Sequence, residues 1–180
     1  MGGVVNLLSR RPGDEPEREV LINQSTLGAT DGVLWLSSPV SESWGVTFLG
    51  GGHWQNQTDV DGDEWADLAY YKRGVARPRF FWNDGEGRSL FVTVGTTVES
   101  RSGGTQPDAI LSETMSPYRE SLDTRRFDLG VLWETVWGRS VVTARTTIAR
   151  QWHDHLFGEV LEHDRHDTGF AEVTLRRSNG

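Results

Sequence analysis

A chain of 180 residues with 21 glycines, eight tryptophans, no cysteine and a formal charge of −8 excludes several classes at once. Without cysteine there is neither a disulfide scaffold nor a thiolate metal site, and the acidic balance argues against nucleic acid, whose phosphates call for a basic face. No run approaches the roughly 18 to 20 consecutive apolar residues of a membrane helix, while 36% hydrophobic residues with recurrent Thr and Val favour an all-β fold.

The chain opens on "MGGVVNLLSRRPGD", an apolar strand with two glycines in front and a basic pair and a proline behind it. Such a strand needs a partner, expected either later in the chain or in a part missing from this sequence. Two short strands are expected next, near Glu19–Leu27 and Val33–Ser38, joined through "LGATDG".

The longer segments that follow obey period two, so their faces separate. In "SWGVTFLGGGHWQ", Trp44, Val46, Phe48, Gly50, Gly52 and Trp54 share one face, opposite Thr47, Leu49, His53 and Gln55. In "RSLFVTVGTTVESR", Leu90, Val92, Val94, Thr96 and Val98 oppose Phe91, Thr93, Thr97, Glu99 and Arg101. "RFDLGVLWETVW" sets Phe127, Leu129, Val131, Trp133, Thr135 and Trp137 against Arg126, Asp128, Gly130, Leu132 and Glu134. "VVTARTTIARQWHDH" sets Val142, Ala144, Thr146, Ile148 and Trp152 against Thr143, Arg145, Thr147, Gln151 and His153, with Arg150 an exception at the end of the apolar face.

Strands of soluble domains average about five or six residues, whereas these run to about ten, as membrane-spanning strands do. Trp44 and Trp54 bracket one apolar face, Phe127 and Trp137 another, and Trp152 ends a third. Ten residues at about 3.3 Å each and a tilt near 45° rise about 23 Å, close to the ~25 Å apolar band between the aromatic girdles of a membrane barrel. The alternative is that these aromatics fill the core of a soluble sandwich.

Connections also alternate. "SPVSES", "NDGEGR", "WGRS" and the terminal "SNG" read as short turns, and Thr58–Gly74, Gly103–Asp123 and Gly158–Asp167 as longer loops. Short turns at one end and long loops at the other are a barrel trait. The expectation is an up-and-down antiparallel meander of about eight strands forming an open part of a transmembrane β-barrel.

"GGVVNLLSRRP" resembles the close of the plug domain in TonB-dependent outer-membrane receptors: a glycine pair, an apolar strand containing Asn, a basic end and Pro. Here those are Gly2, Gly3, Val4, Val5, Asn6, Leu7, Leu8, Arg10, Arg11 and Pro12. "DVDGDEWAD", "RPRFFW", "TVGTTVESRSGGT" and "HDHLFG" resemble stretches of one subgroup of these receptors. The resemblance implies residues 1–12 as the last plug strand, 13–18 as a linker and 19–180 as the first third of a barrel of about 22 strands. It implies location in the bacterial outer membrane and uptake of metal chelates such as siderophores, of cobalamin or of other scarce nutrients. Its partners would be outer-membrane lipid, a small-molecule ligand and the TonB energy-transducing complex, reached through a missing N-terminal part. The chain is then expected to be a fragment, with the rest of the plug upstream and about fourteen strands downstream.

Three groups of residues are candidates for chemistry. Asp59, Asp61, Asp63 and Asp67 in "DVDGDEWAD" have near-alternate spacing that lets carboxylates converge on Ca²⁺, the one cofactor suggested. It is not an EF-hand, since Glu64 and Tyr70 stand where Gly and Glu are needed; a solvated acidic loop is the alternative. His153, His155, His163 and His166 in "HDHLFGEVLEHDRHD" are candidate contacts for a metal or metal chelate, or else a polar rim. Arg77, Arg79, Glu99, Arg101, Arg126, Asp128, Glu134, Arg145, Glu172 and Arg176 are expected to face a barrel lumen, because Arg at mid-bilayer costs about 2–4 kcal/mol.

Catalysis finds no motif: neither GxSxG nor HExxH occurs, and "GGG" at Gly50–Gly52 lies inside a strand. Two further readings remain open, a complete eight-stranded membrane barrel acting as an anchor or adhesin and a soluble carbohydrate-binding β-sandwich.

Overall fold

The structure, a computed structural model, describes residues 10–110 and 116–177. The opening strand "GGVVNLLS" and the terminal "SNG" lie outside the described residues. Eight strands follow in order: β1 Glu17–Gln24, β2 Ala29–Pro39, β3 Trp44–Gln55, β4 Tyr70–Asn83, β5 Arg88–Gly104, β6 Arg119–Trp137, β7 Ser140–Phe157 and β8 Val160–Arg177. They form one antiparallel sheet in which each strand pairs only with its neighbours in sequence, and no helix occurs among the described residues. β1 and β8 make no contact, so the sheet is open.

Strand type follows from composition, β-branched and aromatic residues alternating with polar ones. Lengths exceed expectation at several ends. β4 begins at Tyr70 and β6 at Arg119, inside segments expected to be loops.

The largest correction concerns Gly158–Asp167, expected as a long loop. It is a tight hairpin at Gly158-Glu159 followed directly by β8, eighteen residues paired along β7 from Phe157↔Val160 to Ser140↔Arg177. The physical reason is Gly158, whose φ of 60° matches that of Gly138 in the neighbouring two-residue hairpin. A glycine at the first loop position with positive φ suits the II′ turn, whose twist matches that of the flanking strands. "FGEV" thus repeats "WGRS", aromatic, Gly, charged residue, strand.

Register fuses the alternations into two continuous faces. Gly50↔Ala76, Ala76↔Thr96, Thr96↔Phe127, Val131↔Thr146 and Thr146↔Ala171 lie on one face, hereafter the apolar face. On the other, hereafter the polar face, Thr47 meets Arg79, Gly95 meets Asp128 and Arg145 meets Glu172. No hydrophobic side chain among the described residues is buried; the buried ones are Ser37, Thr47, Thr124 and Thr143, all on the polar face. A single layer buries side chains only against strand neighbours, so the apolar face stays uncovered, with Val20, Leu34, Ile148 and Val173 exposed.

Arg10 to Pro16 fold back over the polar face at the short-turn end. Pro12 lies against Gly45, Arg10 sits 5.5 Å from the Trp35 ring centroid, and Arg10 also bonds Glu17 and Glu19.

At the opposite end the connection 56–69 docks on the described parts, 105–110 and 116–118, of the next long connection. Ala66 N donates to Gly104 O at 2.9 Å, Gln106 N to Glu64 O at 2.9 Å, and Trp65 stacks on Tyr118 at 5.7 Å. Gly104 makes this approach at φ 104°, with the Tyr118 carbonyl where a Cβ would stand. Gly104→Ala is therefore expected to cost about 1–3 kcal/mol of local stability. It should raise amide hydrogen exchange at Ala66 and Thr105 while leaving the β6–β7 strand amides protected.

Candidate functional site

The acidic loop brings together three of its four expected carboxylates. Oxygens of Asp59, Asp61 and Asp67 lie within 4.8 Å of one another, whereas Asp63 is not in the group and accepts from Trp65 N at 2.9 Å. Asp59 accepts from Gly62 N at 2.7 Å and Glu64 N at 2.9 Å, and these backbone bonds, Gly62 first, hold its carboxyl below the usual range. Asp61 is pushed up, chiefly by the charges of Asp63 and Asp67. An oxygen-only set suits hard cations, but Asp59 and Asp67 already spend oxygens on the backbone, Asp67 on Val60 N at 2.8 Å. Its geometry is that of a self-capped acidic loop.

The four histidines do not converge. Register puts His153, His155 and His166 on the polar face and His163 on the apolar face, because hairpin pairing sets His163 opposite Asp154 and His166 opposite Gln151. His163 Nδ1 meets Asp154 Oδ1 at 2.6 Å, His166 Nε2 meets Asp164 Oδ2 at 2.7 Å, and His155 Nε2 lies 3.6 Å from Glu120. His153 contacts Thr124 Oγ1 at 2.9 Å and Gln151 at 2.6 Å. Each imidazole thus has its own polar partner in the strand wall, the arrangement of a polar rim. Only His153 and His166 adjoin, with ring centroids 5.9 Å apart.

All ten charged residues proposed for one face do share it. Two carboxylates organise its centre. Asp128 receives two hydrogen bonds from Arg77, at 2.7 and 2.9 Å, with Arg126 at 3.5 Å. Glu99 receives Arg101 at 2.7 Å, Arg73 at 3.8 Å and the Tyr71 hydroxyl at 2.8 Å. Glu134 takes the Thr143 hydroxyl at 3.2 Å, and Arg145 reaches Glu172 at 4.0 Å. Arg79, beside Thr47, has no carboxylate partner among the described residues.

The sequence pattern alone did not reveal a chain of contacts next to Glu99. Asp31 Oδ1 meets His53 Nδ1 at 2.5 Å, and His53 packs on Tyr71 at 4.8 Å. Arg101 covers Tyr71 at 4.6 Å. These residues come from β2, β3, β4 and β5, and only register joins them.

Aromatic residues mark both ends of the apolar face. Trp44, Trp54, Phe127, Trp137 and Trp152 lie on it, as do Trp82 and Trp133, which makes six of the eight tryptophans. Trp44 and Trp82 adjoin at 6.4 Å near the short turns; at the other end Trp54 meets Tyr70 at 6.3 Å and Lys72 at 5.3 Å. Trp82 was missed because "RPRFFW" carries aromatics on both faces.

The short turns are tied by their own side chains. In "NDGEGR", Asp84 Oδ1 accepts from Arg88 N and Glu86 N, both at 2.9 Å, and these bonds, Arg88 first, lower its carboxyl below the ordinary range. A lowered native value means that the stabilisation is full above the unfolded value near 3.9 and is lost as pH falls through the native one. The Glu86 and Arg88 amide resonances should therefore titrate with a midpoint below about 3.9, and Asp84→Asn should abolish that transition.

No family model, curated protein or solved structure matches the chain.

Proposed function

We propose that this chain is part of the wall of a TonB-dependent outer-membrane transporter, comprising the end of the plug and the first strands of a β-barrel. One observation carries the reading. A continuous apolar face crosses all eight strands, aromatic at both ends, with a charged face behind it and no second layer covering it among the described residues. A soluble sheet of this size buries its apolar face against another layer, whereas a membrane barrel turns that face to lipid and keeps its polar side inside. No helix among the described residues is long and apolar enough to cross a membrane.

In this reading residues 1–12 close the plug, 13–18 link it to the wall, and 19–180 enter the bilayer. That Arg10 to Pro16 lie over the polar face supports it, since a plug occupies that side. The long connections 56–69 and 105–118 would face outward and the short turns the periplasm. The cargo class is a scarce nutrient such as a metal chelate or cobalamin, with energy relayed through the TonB complex from the N-terminal part. An open sheet, β1 apart from β8, favours this over a closed eight-stranded anchor.

The test is the flanking DNA. Reading frames encoding the remaining plug upstream and further alternating strands downstream are expected. A secretion signal directly before Met1, with a stop directly after Gly180, would contradict the proposal.

A further inference from the structure

The centre of the polar face, where β4, β5 and β6 meet, carries a charge pattern opposite to that of the chain as a whole. At its centre two carboxylates are each shared by two guanidinium groups: Glu99 between Arg73 and Arg101, Asp128 between Arg77 and Arg126. Both acids are sunk into the wall, their side chains 12% and 16% exposed, while Arg73, Arg101 and Arg126 stand 47%, 52% and 46% exposed. Each cluster carries two cations to one anion, and the cations are what the surface presents. Arg79 adds a further guanidinium with no carboxylate partner among the described residues.

We infer that this central patch, on β4, β5 and β6, is a cationic stretch of wall that takes small polyanionic ligands, bearing carboxylate or phosphate groups. Pairing with a half-buried carboxylate steadies each guanidinium and leaves it further N–H groups, whose fork geometry fits carboxylate and phosphate oxygens. Along β4 the cations Arg73, Arg77 and Arg79 recur on one face, at steps of about 13 and 7 Å at 3.3 Å per residue. Such a ladder offers successive weak holds along one line, the condition for a ligand both to enter and to leave. A docked polypeptide would need only a single fixed set of contacts. The proposal rests on reading the polar face as the inside of a transport barrel, and narrows the cargo to anionic species.

The test uses the full chain in detergent micelles, titrated calorimetrically with citrate, with maltotriose as a neutral probe and spermidine as a cationic one. Citrate alone is expected to bind, more weakly as salt rises. Arg79→Gln, which leaves no carboxylate unpaired, should weaken it about three- to tenfold. Citrate binding no tighter than maltotriose, or indifferent to Arg79→Gln, would overturn the proposal. Binding of poly-glutamate without citrate would also overturn it, in favour of an acidic polypeptide occupant. A spin label at position 146 in the same samples separates the two readings. A label in the apolar phase without citrate binding removes the anion wall and keeps the membrane wall; a label in water with citrate bound does the reverse.

Discussion

Thr146→Arg is expected to cost about 2–4 kcal/mol of folding stability in lipid vesicles, while Thr147→Arg changes it by less than about 0.5 kcal/mol. The two residues adjoin on β7, are of the same type and are both exposed. They differ only in face. Thr146 pairs with Val131 and Ala171 in the middle of the apolar face, and Thr147 with Gly130 and Phe170 on the other. The one hydrogen bond lost from Thr146, to Phe170 O at 3.0 Å, is too small to account for such a gap. If both faces met water, either arginine would be a surface change and the costs would match. Urea titration of vesicle-folded protein measures the difference.

Asp128→Leu should destabilise the chain by about 2–3 kcal/mol, because it strands Arg77, half-buried and stripped of its bidentate partner, with Arg126 beside it. The Arg77 side chain reaches this carboxylate across β5 only because Gly95 stands between them: a Cβ there would lie 2.6 Å from Asp128 Oδ1. Replacing both partners, Arg77→Met with Asp128→Leu, should recover most of the loss, since paired apolar groups substitute for an ion pair at little cost. Unfolding of the single and double variants in micelles completes the cycle. A double variant as unstable as the single one would show that the pair matters for shape and not for charge.

The strands and their faces were legible wherever polarity alternates. In β6, Phe127 to Trp137 against Arg126 to Glu134 is unambiguous, and register later joined it to β5 and β7 without a slip. β8 was not legible over "VLEHDRHDTG", because charged residues occupy both faces there and period two has no contrast to show. The repeated aromatic-Gly-charge pattern at Gly138 and Gly158 was the available signal for that hairpin. Sites fared worse for a related reason. Arg77 and Asp128 are 51 residues apart and touch only through the register of three strands. The histidines, close in sequence, are split because His163 and His166 stand three residues apart on β8 and so point to opposite faces, which could be read only once the strand was known to start at Val160. Spacing along one strand predicts a face; it does not predict what the next strand brings to it.

The central claim is that the apolar face lies against lipid and the polar face does not. Since the chain has no cysteine, single cysteines at positions 142 to 148 can be spin-labelled one at a time in vesicle-folded protein. Accessibility to oxygen, which concentrates in lipid, should peak at 142, 144, 146 and 148, and accessibility to a water-soluble nickel chelate at 143, 145 and 147. Nickel accessibility at all seven positions, or no alternation of period two, would contradict the account.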